Sequence, residues 1–224
     1  QRIILQEGLV EIMSERFVRQ LEELHVELIT MGSLCEKAIS LSAKAIQGEG
    51  GMTLIGKIFE TEKEIDAQER EIENLCMKLL LHEHPVAGDL RSISAALKMI
   101  SDMERIGDQA ADISEVTLHL IDAKYKRDME HIRKMAAETT CMVVQSVEAY
   151  VEKDEEKAKE VIAHDDIIDD LFIKSREDVI SLIRSNPEEG ACATDLLMIA
   201  KYFERIGDHA CCLLYTSPSP RDTR

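Results

Sequence analysis

Met103-Glu-Arg-Ile-Gly-Asp-Gln-Ala110 recurs one hundred positions later as Phe203-Glu-Arg-Ile-Gly-Asp-His-Ala210. The agreement extends upstream, Leu97 matching Leu197 and Met99 matching Ile199, so the chain carries an internal repeat. Each copy sets a glutamate and an aspartate four residues apart, Glu104 with Asp108 and Glu204 with Asp208. On a helix the two carboxylates share one face, with β-carbons roughly 5–6 Å apart. Like charges at that spacing destabilise a helix by roughly 0.2–0.5 kcal/mol, and a bound cation is the natural offset.

Working outward, 224 residues can hold one large domain or two of about 100 residues, and the repeat favours two. Aromatic residues make up only 4% and Trp is absent, which suits packed helices better than sheets. Acidic residues outnumber basic ones 44 to 27. Nucleic acid is therefore a poor partner, because phosphate binding needs a basic face. No apolar run approaches a membrane span and no signal-like segment opens the chain, so direct membrane insertion is not expected and a cytoplasmic location is. The six cysteines lack CxxC spacing and paired histidines and read as reduced core residues.

Apolar residues at every third or fourth position predict a first helix from Ser14 to Gln47, ended by Gly48-Glu-Gly-Gly51. A second runs from Met52 to Leu81, and a third follows Pro85 and ends near Ile121. The pattern then pauses at Ala123-Lys-Tyr-Lys-Arg127. A fourth helix spans Asp128–Glu152 and aligns with the first when Met31 is laid on Met135. A fifth spans Glu155–Ile183, and Asn186 with Pro187 reads as the N-cap and first position of the sixth. The expectation is an all-α protein of two tandem three-helix bundles, 13–124 and 125–211. Residues 1–12 are read as a leader ahead of Met13. Residues 212–224, containing Cys212-Leu-Leu-Tyr-Thr-Ser-Pro-Ser-Pro-Arg-Asp222, are read as an adaptor-derived scar that cuts the last helix short.

The second helix of each repeat has its own acidic pair, Glu62 with Asp66 and Asp165 with Asp169. On the heptad set by Ile58, Ile65 and Ile72, Glu62 is read at the d position, where an apolar residue is expected. Asp165 stands likewise to Val161 and Ile168, and Glu104 and Glu204 interrupt the apolar lines of their helices. A lone carboxylate in a seam is costly, so two pairs on adjacent helices are expected to converge on a four-carboxylate site in each bundle. All-oxygen donors suit hard cations such as iron, manganese or magnesium. Di-iron oxidases need Glu-x-x-His on two helices, and that paired pattern is absent. Gly107 and Gly207, inside helices, imply close approach of a neighbouring helix or of a bound cluster. The competing reading pairs Arg105 and Arg205 with the acids as plain salt bridges. His209, whose equivalent is Gln109, reads as a polar surface residue.

These residues, together with Met13-Ser-Glu-Arg-Phe-Val-Arg-Gln-Leu21, Met31-Gly-Ser-Leu-Cys35 and Pro85-Val-Ala-Gly-Asp-Leu-Arg91, resemble the PhoU family of phosphate-specific transport accessory proteins. The resemblance covers about Met13 to Ala210. It implies a cytoplasmic homodimer without catalytic activity that negatively regulates the phosphate-starvation response. The implied partners are the ATPase subunit of the phosphate ABC importer and the sensor histidine kinase of the phosphate two-component system. The family's metal motif maps onto Glu62, Asp66, Glu104, Asp108, Asp165, Asp169, Glu204 and Asp208, and implies iron, zinc, manganese or magnesium, in some members multinuclear. Asp112 departs from the Asn often found there. Two alternatives stay open: a metal-dependent hydrolase acting through metal-bound water, and an accessory protein of another phosphate transporter.

Overall fold

Helix-forming residues with an apolar face build most of the described chain, and specific backbone signals separate the first helix from the second and the fourth from the fifth. The computed structural model describes residues 2–82, 85–120 and 129–215. Among them are six α-helices: α1 Arg2–Ile46, α2 Gly51–His82, α3 Ala87–His119, α4 Glu130–Glu152, α5 Glu155–Ser185 and α6 Gly190–Tyr215. Gly48 and Gly50 break α1 from α2 with φ of 80° and 68°, a region closed to most side chains. Lys153 takes the same left-handed role after α4 at φ 56°. Asp154 then caps α5, its Oδ1 accepting from the backbone N–H groups of Glu156 and Lys157 at 3.0 Å each, a cap of about 1 kcal/mol.

Several expected boundaries move. The first helix continues back to Arg2. The side chain of Asn186 makes no capping hydrogen bond, and a 3-10 turn, Pro187–Glu189, intervenes before α6. Helix α6 does not break at Cys212 but runs to Tyr215. Leu213 and Leu214 lie three and four residues past Ala210 on its core face, and both are buried. The junction at 124/125 and residues 216–224 lie outside the described residues.

Helices α1, α2 and α3 pack together, as do α4, α5 and α6, giving the two expected groups of three. The groups are also joined: α3 lies along α6 and α1 along α4. One continuous apolar core consequently runs through both repeats, from Leu24 and Met31 to Phe203 and Leu213. Small residues permit the close approach, since a β-carbon on Gly32 of α1 would come 3.1 Å from Val147 Cγ2 of α4. The Tyr150 hydroxyl adds a polar tie, donating to the Ser92 carbonyl of α3 at 2.8 Å. Helices α2 and α5 thus form the outer layer, each against the motif-bearing helix of its own repeat. No helix among the described residues is long and apolar enough to cross a membrane.

Of the cysteines, Cys35, Cys76 and Cys211 are buried as expected, whereas Cys141 and Cys212 are exposed. Both exposed residues sit on the face of their helix turned away from the core.

Candidate functional site

The acidic pairs lie beside the seams rather than in them. On α2 the buried line is Ile58, Thr61, Ile65, Ile72 and Leu79. Thr61 holds the core position assigned to Glu62, one residue earlier, and Glu62 is half-buried at the edge. The hydroxyl of Thr61 remains satisfied there, donating to the Lys57 carbonyl at 2.8 Å. On α3 the buried line is Ile93, Ala96, Ile100, Met103, Gly107 and Ala110, with Glu104 and Asp108 half-buried alongside. A half-buried carboxylate keeps part of its hydration, so this placement is far less costly than a seam position.

In both repeats the acidic residues feel one another's charge across the helix pair. Burial, then the charges of Asp66 and Asp108, raises the Glu62 carboxyl above its ordinary range. Burial and Asp108 do the same for Glu104, with Glu69 and Asp66 adding. Asp108 is raised by burial and by Asp66, against the lowering influence of Arg105 and His209. Glu62, Asp66, Glu104 and Asp108 therefore share one field between α2 and α3, and Glu69 joins them. In the second repeat burial raises Asp165, with Asp208 and Asp169 adding, while the Cys211 thiol hydrogen bond opposes. Asp208 is raised by burial, then by Glu204, with Asp169 adding. Asp165, Asp169, Glu204 and Asp208 stand at the matching places between α5 and α6, with Asp169 and Asp208 exposed.

Packing accounts for Gly107, whereas Gly207 has room for a β-carbon. A β-carbon on Gly107 would sit 2.9 Å from Ile65 Cδ1, and one on Gly207 would sit 3.4 Å from Ile168 Cγ2. Ile65 and Ile168 occupy the same place in the two repeats, so each motif glycine receives the isoleucine that lies between its own pair of acids on the facing helix.

The salt-bridge alternative holds for one arginine. Arg105 Nη1 is 3.4 Å from Asp108 Oδ2 and its Nε is 3.6 Å from Glu104 Oε2. Arg70 Nη2 is 3.5 Å from Asp66 Oδ2. These are long, solvent-exposed pairs of small worth. Arg205 instead lies over the Tyr202 ring, 5.9 Å from its centroid. The close cation of the second group is Lys201, which pairs with Glu204.

His209 is polar as expected but is engaged between the repeats. It is half-buried, and its Nδ1 lies 2.9 Å from Asp102 Oδ1 on α3, bridging the repeats. His119 of α3 meets Asp195 of α6 at 3.5 Å, so the two helices run antiparallel with their motifs abreast. Two serines that anchor the motifs are absent from the sequence reading. Ser42 Oγ donates to the Ala110 carbonyl at 3.0 Å, and Ser146 Oγ donates to the Ala210 carbonyl at 2.9 Å. The signal was available: with Met31 laid on Met135, Ser42 falls on Ser146.

Among the described residues no set of three or more His, Cys, Asp or Glu side chains already closes on one point as a metal cage. The donors nevertheless fit a hard cation in their chemistry. Each group is four carboxylates on two facing helices, several held above their normal range by burial and mutual repulsion, and oxygen donors of this kind suit such ions.

A family model described as the PhoU domain matches residues 28–117 and 132–214. The chain is 34% identical over 193 residues to the phosphate-specific transport system accessory protein PhoU homolog of Clostridium acetobutylicum, covering 86% of this chain and 88% of the relative. It is 32% identical over 203 residues to the homolog of the same name from Borreliella burgdorferi, covering 88% and 91%. Among solved structures, PhoU from Pseudomonas aeruginosa superposes with a TM-score of 0.83 at 26% identity, covering 90% of this chain and 96% of that one. The phosphate transport system regulatory protein PhoU from Streptococcus pneumoniae shares the fold, with a TM-score of 0.79 at 24% identity over 89% and 94%. The two matched segments fall one on each three-helix repeat, and the chain belongs to the PhoU family.

Proposed function

We propose that this chain is a cytoplasmic, metal-binding regulatory adaptor of phosphate uptake that restrains the phosphate-starvation response. It acts by binding and carries out no reaction of its own. Relatives at 34% and 32% identity over most of the chain carry the name of phosphate transport accessory proteins, which supports the transport role. The observation that carries the metal reading is the pairing of acidic residues across helices at matched places in both repeats. Iron, zinc, manganese or magnesium held there cancels the repulsion among the carboxylates and stiffens α2 against α3 and α5 against α6. The protein works as a homodimer whose outer faces dock on the ATPase subunit of the phosphate importer and on the sensor histidine kinase.

The test is affinity capture of the tagged chain from phosphate-replete cells, with metal analysis of the same eluate. The importer ATPase and the kinase are expected in the eluate, and deletion of the gene is expected to switch on phosphate-starvation genes in rich phosphate. Capture of neither partner, with phosphate uptake and starvation genes unchanged on deletion, contradicts the proposal.

A further inference from the structure

The two carboxylate groups differ at one matched pair of positions. In the first repeat these are Glu69 and Ser101, and the Ser101 hydroxyl donates to Glu69 Oε1 at 3.4 Å. In the second repeat they are Phe172 and Lys201, with Lys201 Nζ lying 5.4 Å from the centre of the Phe172 ring. The same ammonium pairs with Glu204, whose side chain is 14% exposed. Where the first group has a fifth carboxylate, the second has a cation held between an aromatic face and a candidate metal ligand.

We infer that Lys201 is a built-in counter-cation of the second carboxylate group and makes it the weaker, later-filled of two cation sites. This rests on the metal reading above and adds an order of filling to it. A metal ion entering the second group must first separate Lys201 from Glu204. In that pair Lys201 is 39% and Glu204 14% exposed, and an aromatic face also favours the ammonium where it is. The ion then lies beside a displaced positive charge. In the first group the competing cations are Arg70 and Arg105, which are 71% and 62% exposed and make contacts of 3.4–3.6 Å. Such pairs give way at little cost. The second repeat is correspondingly the less dependent on metal for its own stability, since part of its repulsion is already cancelled.

Titration of the metal-stripped full chain with Mn²⁺ tests this. Two binding events are expected, the tighter abolished by Asp108→Asn and the weaker by Asp208→Asn. Lys201→Ser installs the residue of the first repeat and should tighten the weaker event by about tenfold while leaving the tighter one alone. Ser101→Lys should weaken the tighter event by about tenfold. Thermal denaturation without metal gives a second readout: Lys201→Ser should melt below the wild type, and Mn²⁺ should close the gap. If the wild type binds two ions and both lysine exchanges leave both affinities unchanged, Lys201 has no such role. If no protein binds Mn²⁺ and the Lys201→Ser melting point equals that of the wild type, the metal reading fails together with the inference.

Discussion

Gly107 of α3 faces Ile65 of α2 so closely that a β-carbon there would lie 2.9 Å from Ile65 Cδ1 and 3.3 Å from its Cγ2. Gly207 faces Ile168 with more room, its nearest neighbours standing at 3.4 Å. Overpacking costs about 1–3 kcal/mol, and Ala improves on Gly in a helix by about 1 kcal/mol. Gly107→Ala should therefore lower stability by about 1 kcal/mol net. Gly207→Ala should be neutral or stabilising by up to about 1 kcal/mol. Urea denaturation of the two variants distinguishes them, and equal shifts of the same sign would show that the isoleucine contacts do not decide the motif glycines.

Ser42 and Ser146 hold the motif helices from the opposite side. The single proton of each hydroxyl is shared with the carbonyl four residues earlier, Ala38 at 2.9 Å and Met142 at 2.7 Å. Removing either leaves carbonyls that still accept helical bonds, so the cost should stay near the net value of one hydrogen bond, about 1 kcal/mol. Ser42→Ala and Ser146→Ala are each expected to lower stability by that amount, and both together by the sum, because the sites are separate. Thermal melts of the two single variants and the double variant provide the check.

His209 and Asp102 join the repeats across the α3–α6 contact. A double-mutant cycle with His209→Ala and Asp102→Ala should return a coupling of about 0.5–1 kcal/mol at low salt, reduced as salt is added. A coupling of zero would make the 2.9 Å approach energetically idle.

The pH dependence follows from the direction of the carboxyl shifts. Glu62, Glu104, Asp108, Asp165 and Asp208 are all raised, with burial as the largest cause. A carboxyl raised in the folded state binds its proton more tightly there than in the unfolded chain. Its contribution to stability is fully present below the unfolded value, about 4 for these groups, and is lost as pH rises through the raised folded value. The metal-stripped protein should thus lose stability as pH climbs from the carboxylate range toward neutrality. A saturating cation should flatten or reverse that slope, because it favours the ionised carboxylates. Melting temperatures across this range with chelator and with Mn²⁺ test the prediction, and superimposable curves would contradict it.

Much of this arrangement is legible in the sequence because the repeat is. Glu104 and Glu204 announce matched helices, and the apolar spacing around Ile58, Ile65 and Ile72 orders the chain into two groups of three. On α2 that spacing puts the core position three residues after Ile58, at Thr61 and not Glu62, and a count of apolar side chains overlooks a buried threonine. Thr61 fills the core by satisfying its hydroxyl within its own helix. The union of the two bundles into one core is carried by Gly32 against Val147 and by the antiparallel meeting of α3 and α6. These are contacts between repeats, on which periodicity within one helix is silent. The serine anchors escape for a related reason: Ser42 and Ser146 interrupt apolar lines and read as polar noise until their carbonyl partners are seen.

The proposal stands or falls on each motif supplying half of a site whose other half is on the preceding helix. The most direct measurement is the number of Mn²⁺ ions bound per chain by equilibrium dialysis of the wild type, Asp66→Asn, Asp108→Asn and the Asp66→Asn, Asp108→Asn pair. Asp66→Asn and Asp108→Asn should each abolish the same binding event, and the pair should lose no more than either alone, with the second-repeat event intact. Additive losses from Asp66 and Asp108, or binding unaltered by both, would mean that α2 and α3 do not share a site.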